Sequence, residues 1–173
     1  MQNKLMLNEG MFITFEGIDG SGKSTQVNKL KHYIKKEKIK NFIFTREPGG
    51  GPLGEKVRSL LLNNNRNSSL SIESQILLIT AARYEHYEKL ILPNIKRKKI
   101  IVSDRYQDST FAYQCGGNVN LQKILKKLNH LLFKKFKPNL TFLLDIKPNV
   151  AMRRISKRKI NNFFDKKKLS FYK

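Results

Sequence analysis

Short apolar runs alternate with longer amphipathic stretches along the whole chain. Four runs rich in β-branched and aromatic residues predict strands, and the first of them, residues 11–16, suits a buried parallel strand. Between them, apolar residues recur three and four positions apart, which predicts helices covering a sheet. The alternation therefore predicts an α/β fold with a doubly wound, mainly parallel sheet. The predicted strands are residues 11–16, 41–45, 99–104 and 140–145.

The predicted helices carry apolar residues on the side expected to face inward. Ser71 is the expected N-cap of the longest helix, and Pro93 is expected to end or kink it. The helices are predicted at residues 24–38, 54–62, 71–93, 109–115, 121–133 and from 148 onward. The residues predicted to face inward are Val27, Leu30, Ile34, Val57, Leu60, Leu61, Ile76, Leu77, Ile79, Ala82, Leu90, Ile124, Leu125, Leu128, Leu131 and Leu132.

The length of 173 residues, with no internal repeat and no shift in composition, predicts a single domain over residues 1–173. No apolar run approaches the roughly 18 residues that a membrane helix needs. The first residues lack the apolar core and cleavage site of a signal peptide. A single cysteine, Cys115, excludes an internal disulfide. These features predict a cytoplasmic protein that does not bind or span a membrane.

The formal net charge is +22. Such a charge attracts phosphate-bearing partners, and nucleic acid is one candidate. However, the lysines are scattered over predicted helix surfaces, without the interleaved aromatic residues of a base-stacking surface. The pattern disfavours a nucleic-acid substrate and suits a small anionic ligand.

Residues 17–24 read GIDGSGKS and fit the phosphate-binding pattern G-x-x-x-x-G-K-[ST]. The glycines allow backbone N–H groups to approach phosphate oxygens closely. Lys23 is expected to reach the β- and γ-phosphates of a nucleotide, and the Ser24 hydroxyl is expected to ligate Mg²⁺. The order of strand, glycine-rich loop and helix is the context that this motif requires.

Charged residues follow two of the other predicted strands. Arg46 and Glu47 open a loop rich in glycine and proline, at the sheet edge where α/β proteins bind ligands. An ion pair that joins the strand end to a neighbouring helix is the alternative. Asp104 ends an apolar strand, which suits a carboxylate that orders Mg²⁺ opposite a phosphate loop. Arg83 lies in the middle of a helix, and the local pattern alone favours solvated surface for it.

Five segments together resemble the thymidylate kinase family, in the right order and over nearly the whole chain. They are FEGIDGSGKST at residues 15–25, TREPGG at 45–50, AAR at 81–83, DRYQDSTFAYQ at 104–114 and PNLTFLLD at 138–145. The resemblance implies a P-loop NTPase-type fold. It also implies transfer of the γ-phosphoryl group of ATP to dTMP with Mg²⁺, which supplies dTTP synthesis.

The resemblance assigns a role to individual residues. Asp19 is similar to the family's carboxylate at the nucleotide sugar, and Arg83 and Arg105 to its arginines at the base and the phosphate. The implied ATP-binding residues are Gly17, Ile18, Asp19, Gly20, Ser21, Gly22, Lys23, Ser24 and Thr25. The implied dTMP-binding residues are Asp19, Arg46, Glu47, Pro48, Ile79, Arg83, Arg105, Ser109, Tyr113 and Gln114. The implied metal-binding residues are Ser24, Glu47 and Asp104, and the implied catalytic residues are Asp19, Lys23, Arg105, Arg154 and Arg158.

The resemblance also sets three expectations about the rest of the chain. A lid is expected at about residues 153–168, where the guanidinium groups of Arg154 and Arg158 suit a phosphoryl group. Family members continue beyond the position of Lys173, so the last strand and helix of the fold are expected to be missing. A homodimer is expected, formed through helices on one face of the sheet.

Two alternatives remain open at this stage. One is a kinase of the same fold that acts on another nucleoside monophosphate. The other is a truncated, non-catalytic remnant that binds nucleotide without turnover, because the expected C-terminal segment is incomplete.

Overall fold

The computed structural model describes residues 9–63, 70–134 and 136–157. Its four strands form one parallel sheet in the order β2-β3-β1-β4. This arrangement confirms the predicted doubly wound parallel sheet and all four predicted strands. The strands are β1 (Met11–Glu16), β2 (Phe42–Arg46), β3 (Ile100–Asp104) and β4 (Leu140–Leu143).

The carboxyl ends of the strands meet at one edge of the sheet. Phe15 of β1 and Arg46 of β2 both lie opposite Asp104 of β3. On the other side of β1, Glu16 lies opposite Leu143. In the sheet, β2 and β3 lie on one side of β1, and β4 lies on the other. The strand order therefore reverses direction at β1, which leaves a crevice at this edge. The loops that follow the strands therefore converge there.

Helices cover both faces of the sheet. The helix that contains Pro93 does not end there: a π-helical segment precedes the proline and the chain stays helical beyond it. No helix in the described part of the chain is long and apolar enough to cross a membrane. The helices are α1 (Lys23–Lys36), α2 (Pro52–Leu62), α3 (Ile72–His86) with the π-helical segment Tyr87–Ile91, α4 (Leu92–Lys96), α5 (Gln107–Thr110) with the π-helical segment Phe111–Cys115, α6 (Val119–Phe133) and α7 (Pro148–Ser156).

Alternate residues of the central strands enter cores on opposite faces of the sheet. On one face Phe12 and Ile101 pack with Ile91 and Tyr106. On the other face the buried cluster is Phe15, Val27, Ile100 and Val102. Each fully buried side chain of this size stabilises the fold by roughly 1.5–3 kcal/mol. Burial on both faces explains why these strands are continuously apolar in sequence.

The helical periodicity correctly predicted which side of each helix faces the core, but it predicted more buried residues on that side than the structure has. Ile76, Ile79 and Leu125 are buried as predicted. The prediction was wrong for four leucine or isoleucine residues, which keep about half or more of their surface exposed because only the centre of each apolar stripe is covered within one chain. These are Leu60, Leu77, Ile124 and Leu131. The extent of the domain, predicted as residues 1–173, stays a prediction.

Candidate active site

The phosphate loop lies between β1 and α1, at the sheet edge described above. Gly20 has φ of +79°, and a Cβ there would lie 2.6 Å from the carbonyl oxygen of Ala151 on α7. Only glycine combines this backbone conformation with such a close approach. The loop and the start of α7 are therefore packed directly against each other, and α1 begins at Lys23 with its free N–H groups facing the loop.

Lys23 lies inside the loop, with 5% of its surface exposed. Its Nζ donates to the Ile18 carbonyl at 2.8 Å and lies 3.4 Å from Ser21 Oγ. Burial, together with the nearby Arg105 charge, lowers the pKa of Lys23 to about 8. The ammonium group is thus held where a phosphate oxygen can replace its carbonyl partner.

Ser24 and Asp104 form a pair next to Lys23. Ser24 Oγ donates to Asp104 Oδ2 at 2.6 Å. Residues 9–63, 70–134 and 136–157 contain no cluster of three or more His, Cys, Asp or Glu that could hold a metal ion. Mg²⁺ is nevertheless well suited to one hydroxyl and one carboxylate, because it keeps several waters and takes further oxygens from nucleotide phosphates. The donor set therefore fits Mg²⁺ bound together with a nucleotide.

Asp19 and Arg105 form an ion pair at the rim of the phosphate loop, at 2.5 Å between Asp19 Oδ1 and Arg105 Nη2. Tyr113 donates its hydroxyl to Asp19 Oδ2 at 2.9 Å, and the Arg105 guanidinium lies over the Tyr113 ring. Burial alone would raise the pKa of Asp19, but the Arg105 and Lys23 charges outweigh it and lower that pKa. Asp19 is therefore an ionised acceptor.

Arg105 adopts a left-handed backbone conformation, with φ of +77°. This conformation is strained for a bulky residue and needs support from its surroundings. Ser103 Oγ donates to the Arg105 carbonyl at 2.8 Å, and Glu16 accepts from the Tyr106 N–H at 2.7 Å. Glu16 also accepts from Ser109 Oγ at 2.6 Å. Sequence reasoning missed Glu16, and the signal was a charged residue at the end of an otherwise apolar strand.

Arg83, predicted from local pattern to be surface, is 2% exposed, and that prediction was wrong. Its Nε donates to Glu47 Oε2 at 2.6 Å, and its Nη2 donates to the Tyr106 carbonyl and to Thr110 Oγ1. Glu47 Oε1 lies 2.9 Å from His86 Nδ1. Both oxygens of Glu47 are thus engaged within the protein, as in the alternative interpretation of an ion pair to a helix. The part of Glu47 in metal binding stays a prediction.

A cavity of about 100 Å³ opens between α2, α3 and α5. Arg83 lines it, and Arg83 Nη1 is buried without a hydrogen-bond partner in the described residues. Gln114 donates its Nε2 to Gln75, which leaves Gln114 Oε1 as an acceptor for a ligand. The other predicted residues that line this cavity are Asp19, Glu47, Pro48, Ile79, Arg105, Ser109 and Tyr113.

A larger cleft of about 680 Å³ joins the phosphate loop to this cavity. Arg46 lines it and pairs with Glu55 of α2 at 2.8 Å, with both side chains about half exposed. Arg58 lines both the cleft and the cavity. Sequence reasoning missed Arg58, although it lies four residues after the buried Gly54 and so on the inward face of α2.

Arg154 extends from α7 toward the phosphate loop. Its Nη1 donates to the carbonyl of Gly20 at 3.2 Å and lies 3.4 Å from that of Ser21. Arg153, its neighbour, is exposed. Arg158 and most of the predicted lid lie outside the described residues. Among the predicted lid arginines in the described part of the chain, Arg154 is the one that the structure brings to the loop.

The thymidylate kinase family model matches residues 15–173. The chain belongs to the thymidylate kinase family. The match includes the phosphate loop, the Arg46–Pro48 loop and the Asp104–Gln114 segment. It also covers most of the chain, which counts against the alternative of a non-catalytic remnant.

Individual relatives agree with the family model. The chain is 43% identical to a thymidylate kinase of Acinetobacter baumannii (strain AYE) over 162 residues, which cover 94% of this chain and 80% of that protein. It is 41% identical to a thymidylate kinase of Buchnera aphidicola subsp. Baizongia pistaciae over 150 residues, 87% of this chain and 71% of that protein.

The structure of this thymidylate kinase family member also matches a solved one. The crystal structure of thymidylate kinase from Ehrlichia chaffeensis superimposes with a TM-score of 0.70 at 40% sequence identity. The match covers 84% of this chain and 82% of that chain. The P-loop NTPase-type α/β fold is therefore confirmed.

Proposed function

We propose that this chain transfers the γ-phosphoryl group of ATP to dTMP, producing dTDP and ADP. The observation that carries the proposal is a cavity that shares Asp19 and Arg105 with the phosphate cleft and is lined by Arg83, whose Nη1 is buried and unpartnered in the described residues. A phosphate loop alone would fit many nucleotide-binding proteins. A second cavity that shares lining residues with the phosphate cleft supports a nucleoside monophosphate kinase, which binds two nucleotides.

The donor nucleotide would bind at the phosphate loop. Backbone N–H groups of the loop that are not used within the protein, together with the N-terminus of α1, would bind the triphosphate. Lys23 would exchange its contact with the Ile18 carbonyl for a phosphate oxygen. Ser24 and Asp104 would hold Mg²⁺, which would supply positive charge that neutralises the nucleotide phosphates.

The acceptor base would lie in the cavity against Ile79. Arg83 Nη1 is a donor that matches the O4 carbonyl of thymine, and Gln114 Oε1 is an acceptor that matches its N3–H. Cytosine presents the reverse pattern at these two positions. An unsatisfied polar group in a buried site strongly disfavours the mismatched ligand. The same pair of contacts supports dTMP over dCMP.

The acceptor sugar and phosphate would lie between the cavity and the loop. Asp19 has acceptor capacity beyond its contacts with Arg105 and Tyr113 and suits the 3′-hydroxyl. The guanidinium groups of Arg46, Arg58 and Arg105 border the path from the cavity to Lys23. Guanidinium forks bind phosphate oxygens in pairs and hold them in one orientation.

Transfer would proceed in line. An oxygen of the acceptor phosphate bonds to the γ-phosphorus while the bond from that phosphorus to the β,γ-bridging oxygen breaks, and ADP leaves with that oxygen. The residues position the two phosphates and stabilise the charge that spreads over the transferring group. Lys23 does so from the loop. Arg154 would do so from α7, which its contact with the Gly20 carbonyl supports, and Arg158 of the predicted lid is the second candidate.

The test is ADP formation by the purified 173-residue chain with ATP and Mg²⁺, with dTMP, dUMP, dCMP or dGMP as acceptor. We expect turnover that requires Mg²⁺ and that is fastest with dTMP. A preference for another acceptor would replace dTMP in the proposal. Absence of turnover with every acceptor, in a chain shown by circular dichroism to be folded, would refute it.

We propose in addition that the chain forms a homodimer through α2, α3 and α6, and that it acts in the cytoplasm. These helices pack side by side, so a second copy would bury the apolar surface that they expose. That surface includes Leu60, Leu77, Ile124 and Leu131. Sedimentation should show a dimer, and Leu77→Lys should convert it to a monomer. A wild-type monomer at micromolar concentration would contradict the dimer.

A further inference from the structure

His86 is a buried residue that none of the roles above uses. It lies on α3, three residues after Arg83, and is 3% exposed. Its ring bridges two polar groups from another part of the chain. Nε2 lies 2.8 Å from Thr45 Oγ1 at the end of β2, and Nδ1 lies 2.9 Å from Glu47 Oε1 in the loop that follows.

Charge balance indicates the protonation state of this ring. The Arg83 guanidinium is always protonated, and Glu47, 2.6 Å from it, is the one carboxylate in contact with it in the described structure. A neutral His86 leaves this buried group without net charge, whereas a protonated ring would leave an uncompensated buried charge. One ring proton is enough for both of its contacts, because Glu47 Oε1 accepts and the Thr45 hydroxyl can donate.

The partners then fix the position of the single ring proton. An ionised carboxylate only accepts hydrogen bonds, so the proton belongs on Nδ1 and is donated to Glu47 Oε1. Nε2 must then accept, and the Thr45 hydroxyl donates to it. The chain of hydrogen bonds runs from Thr45 through His86 to Glu47.

The ring also packs on the loop after β2. Gly50 has φ of +74°, and a Cβ at this position would overlap the His86 ring and Thr45 Oγ1. The loop that carries Arg46 and Glu47 is therefore seated on the imidazole. The His86 side chain therefore contacts both the backbone of this loop and the Glu47 carboxylate, and it holds the two in position.

Glu47 in turn orients Arg83. Its Oε2 accepts from Arg83 Nε, and the Tyr106 carbonyl and Thr110 Oγ1 accept from Nη2, which leaves Nη1 as the nitrogen without a partner in the described residues, on a side chain that lines the cavity. Because the guanidinium is planar, displacement of Glu47 would tilt Nη1 away from its position in the cavity.

We infer that His86, as the neutral Nδ1–H tautomer, is a positioning residue that holds Glu47 and thereby aims Arg83 Nη1 at the acceptor base. The inference rests on the proposed function for the identity of that base. His86 would then contribute to the recognition of the acceptor base without contacting that base, since it does not line the cavity.

Two variants of similar shape distinguish the contact made by Nδ1 from the contact made by Nε2. His86→Asn places an amide N–H near the position of Nδ1 and keeps donation to Glu47. His86→Gln places its amide near Nε2, toward Thr45, and leaves Glu47 Oε1 unpaired. His32→Asn, on the exposed side of α1, is the control for loss of an imidazole.

For His86→Gln we expect the KM for dTMP to rise about tenfold, because a hydrogen bond to a charged group is lost. The kcat and the KM for ATP should stay within about twofold of wild type, since the phosphate loop makes no contact with this group. His86→Asn should restore most of the dTMP affinity. Equal dTMP KM values in His86→Asn and His86→Gln, or a loss confined to kcat, would overturn the inference.

The ring state is tested independently of turnover by ¹⁵N NMR of the histidine side chains in the wild-type chain. We expect one ring to show the Nδ1–H tautomer at neutral pH and to disappear from the spectrum of His86→Gln. An Nε2–H or doubly protonated state for the ring whose signal is absent from His86→Gln, or from His86→Asn if His86→Gln does not fold, would overturn the assignment. If wild type showed no turnover with dTMP, the proposed function would fail while this spectrum still decided the tautomer.

Discussion

The donor side and the acceptor side of this site are built in different ways. One continuous segment, residues 17–25, forms the phosphate loop, and much of its chemistry comes from backbone N–H groups. The acceptor cavity is assembled from side chains that are distant in sequence, such as Glu47 with Arg83 and Asp19 with Arg105, which are 36 and 86 residues apart. A continuous segment leaves a motif in the sequence, whereas an assembled cavity depends on the whole fold.

The largest expected effect is on the donor side. Lys23→Ala removes the only ammonium group buried in the loop among the described residues, and we expect kcat to fall about 100-fold or more, as for loss of one transition-state donor. Steady-state ADP formation at saturating dTMP measures it. Lys29→Ala, which removes the same charge from the exposed side of α1, is the control and should retain wild-type activity. An equal loss in both variants would mean that bulk charge, and not the loop, accounts for the effect.

The next effect compares two arginines of the acceptor side. Arg83→Met leaves Glu47 buried without its positively charged partner, and we expect about 3 kcal/mol of unfolding free energy to be lost, with a higher KM for dTMP. Arg46→Met breaks an ion pair whose side chains are about half exposed, and stability should change by less than about 1 kcal/mol. Urea unfolding followed by circular dichroism measures both. Equal losses of stability would contradict the different burial of the two pairs.

A smaller effect concerns pH and distinguishes the donor site from the acceptor site. Burial lowers the pKa of Lys23 to about 8, so the ammonium loses its proton as the pH rises above that value. The KM for ATP should therefore rise with pH, by roughly tenfold between pH 7 and pH 9, because the neutral amine no longer attracts phosphate. The KM for dTMP should change less, since arginines stay protonated.

Lys23→Ala is the control for this pH dependence and should show no such rise in the KM for ATP. A KM for ATP that is constant from pH 7 to pH 9 in the wild-type chain would show that the free-enzyme pKa of Lys23 is not lowered.

The sequence predicted most of the fold, because strand and helix periods are local. It also predicted Lys23, Ser24 and Asp104 from their places around the phosphate motif, which the structure brings together. It failed for His86 and Glu16, whose partners lie 39 and 90 residues away, since no local pattern shows which polar groups will meet in the core. Arg83 shows the same limit, because its helical neighbourhood in sequence resembles a solvated surface.

The smallest expected effect concerns the orientation of one amide in the acceptor cavity. Gln75 donates its Nε2 to the Leu70 carbonyl at 3.1 Å, so its Oε1 remains to accept from Gln114 Nε2. These two hydrogen bonds leave Gln114 Oε1 as the acceptor that, under the proposed function, would accept from the N3–H of thymine. In Gln75→Met the Gln114 amide is free to rotate and to donate to N3 of cytosine instead. We expect the preference for dTMP over dCMP in kcat/KM to fall about fivefold, the value of one neutral hydrogen bond. Gln122→Met, on α6 outside the cavity, should leave this ratio unchanged. If Gln75→Met lowered activity equally with both acceptors, Gln75 would serve the packing of α3 and not the reading of the base.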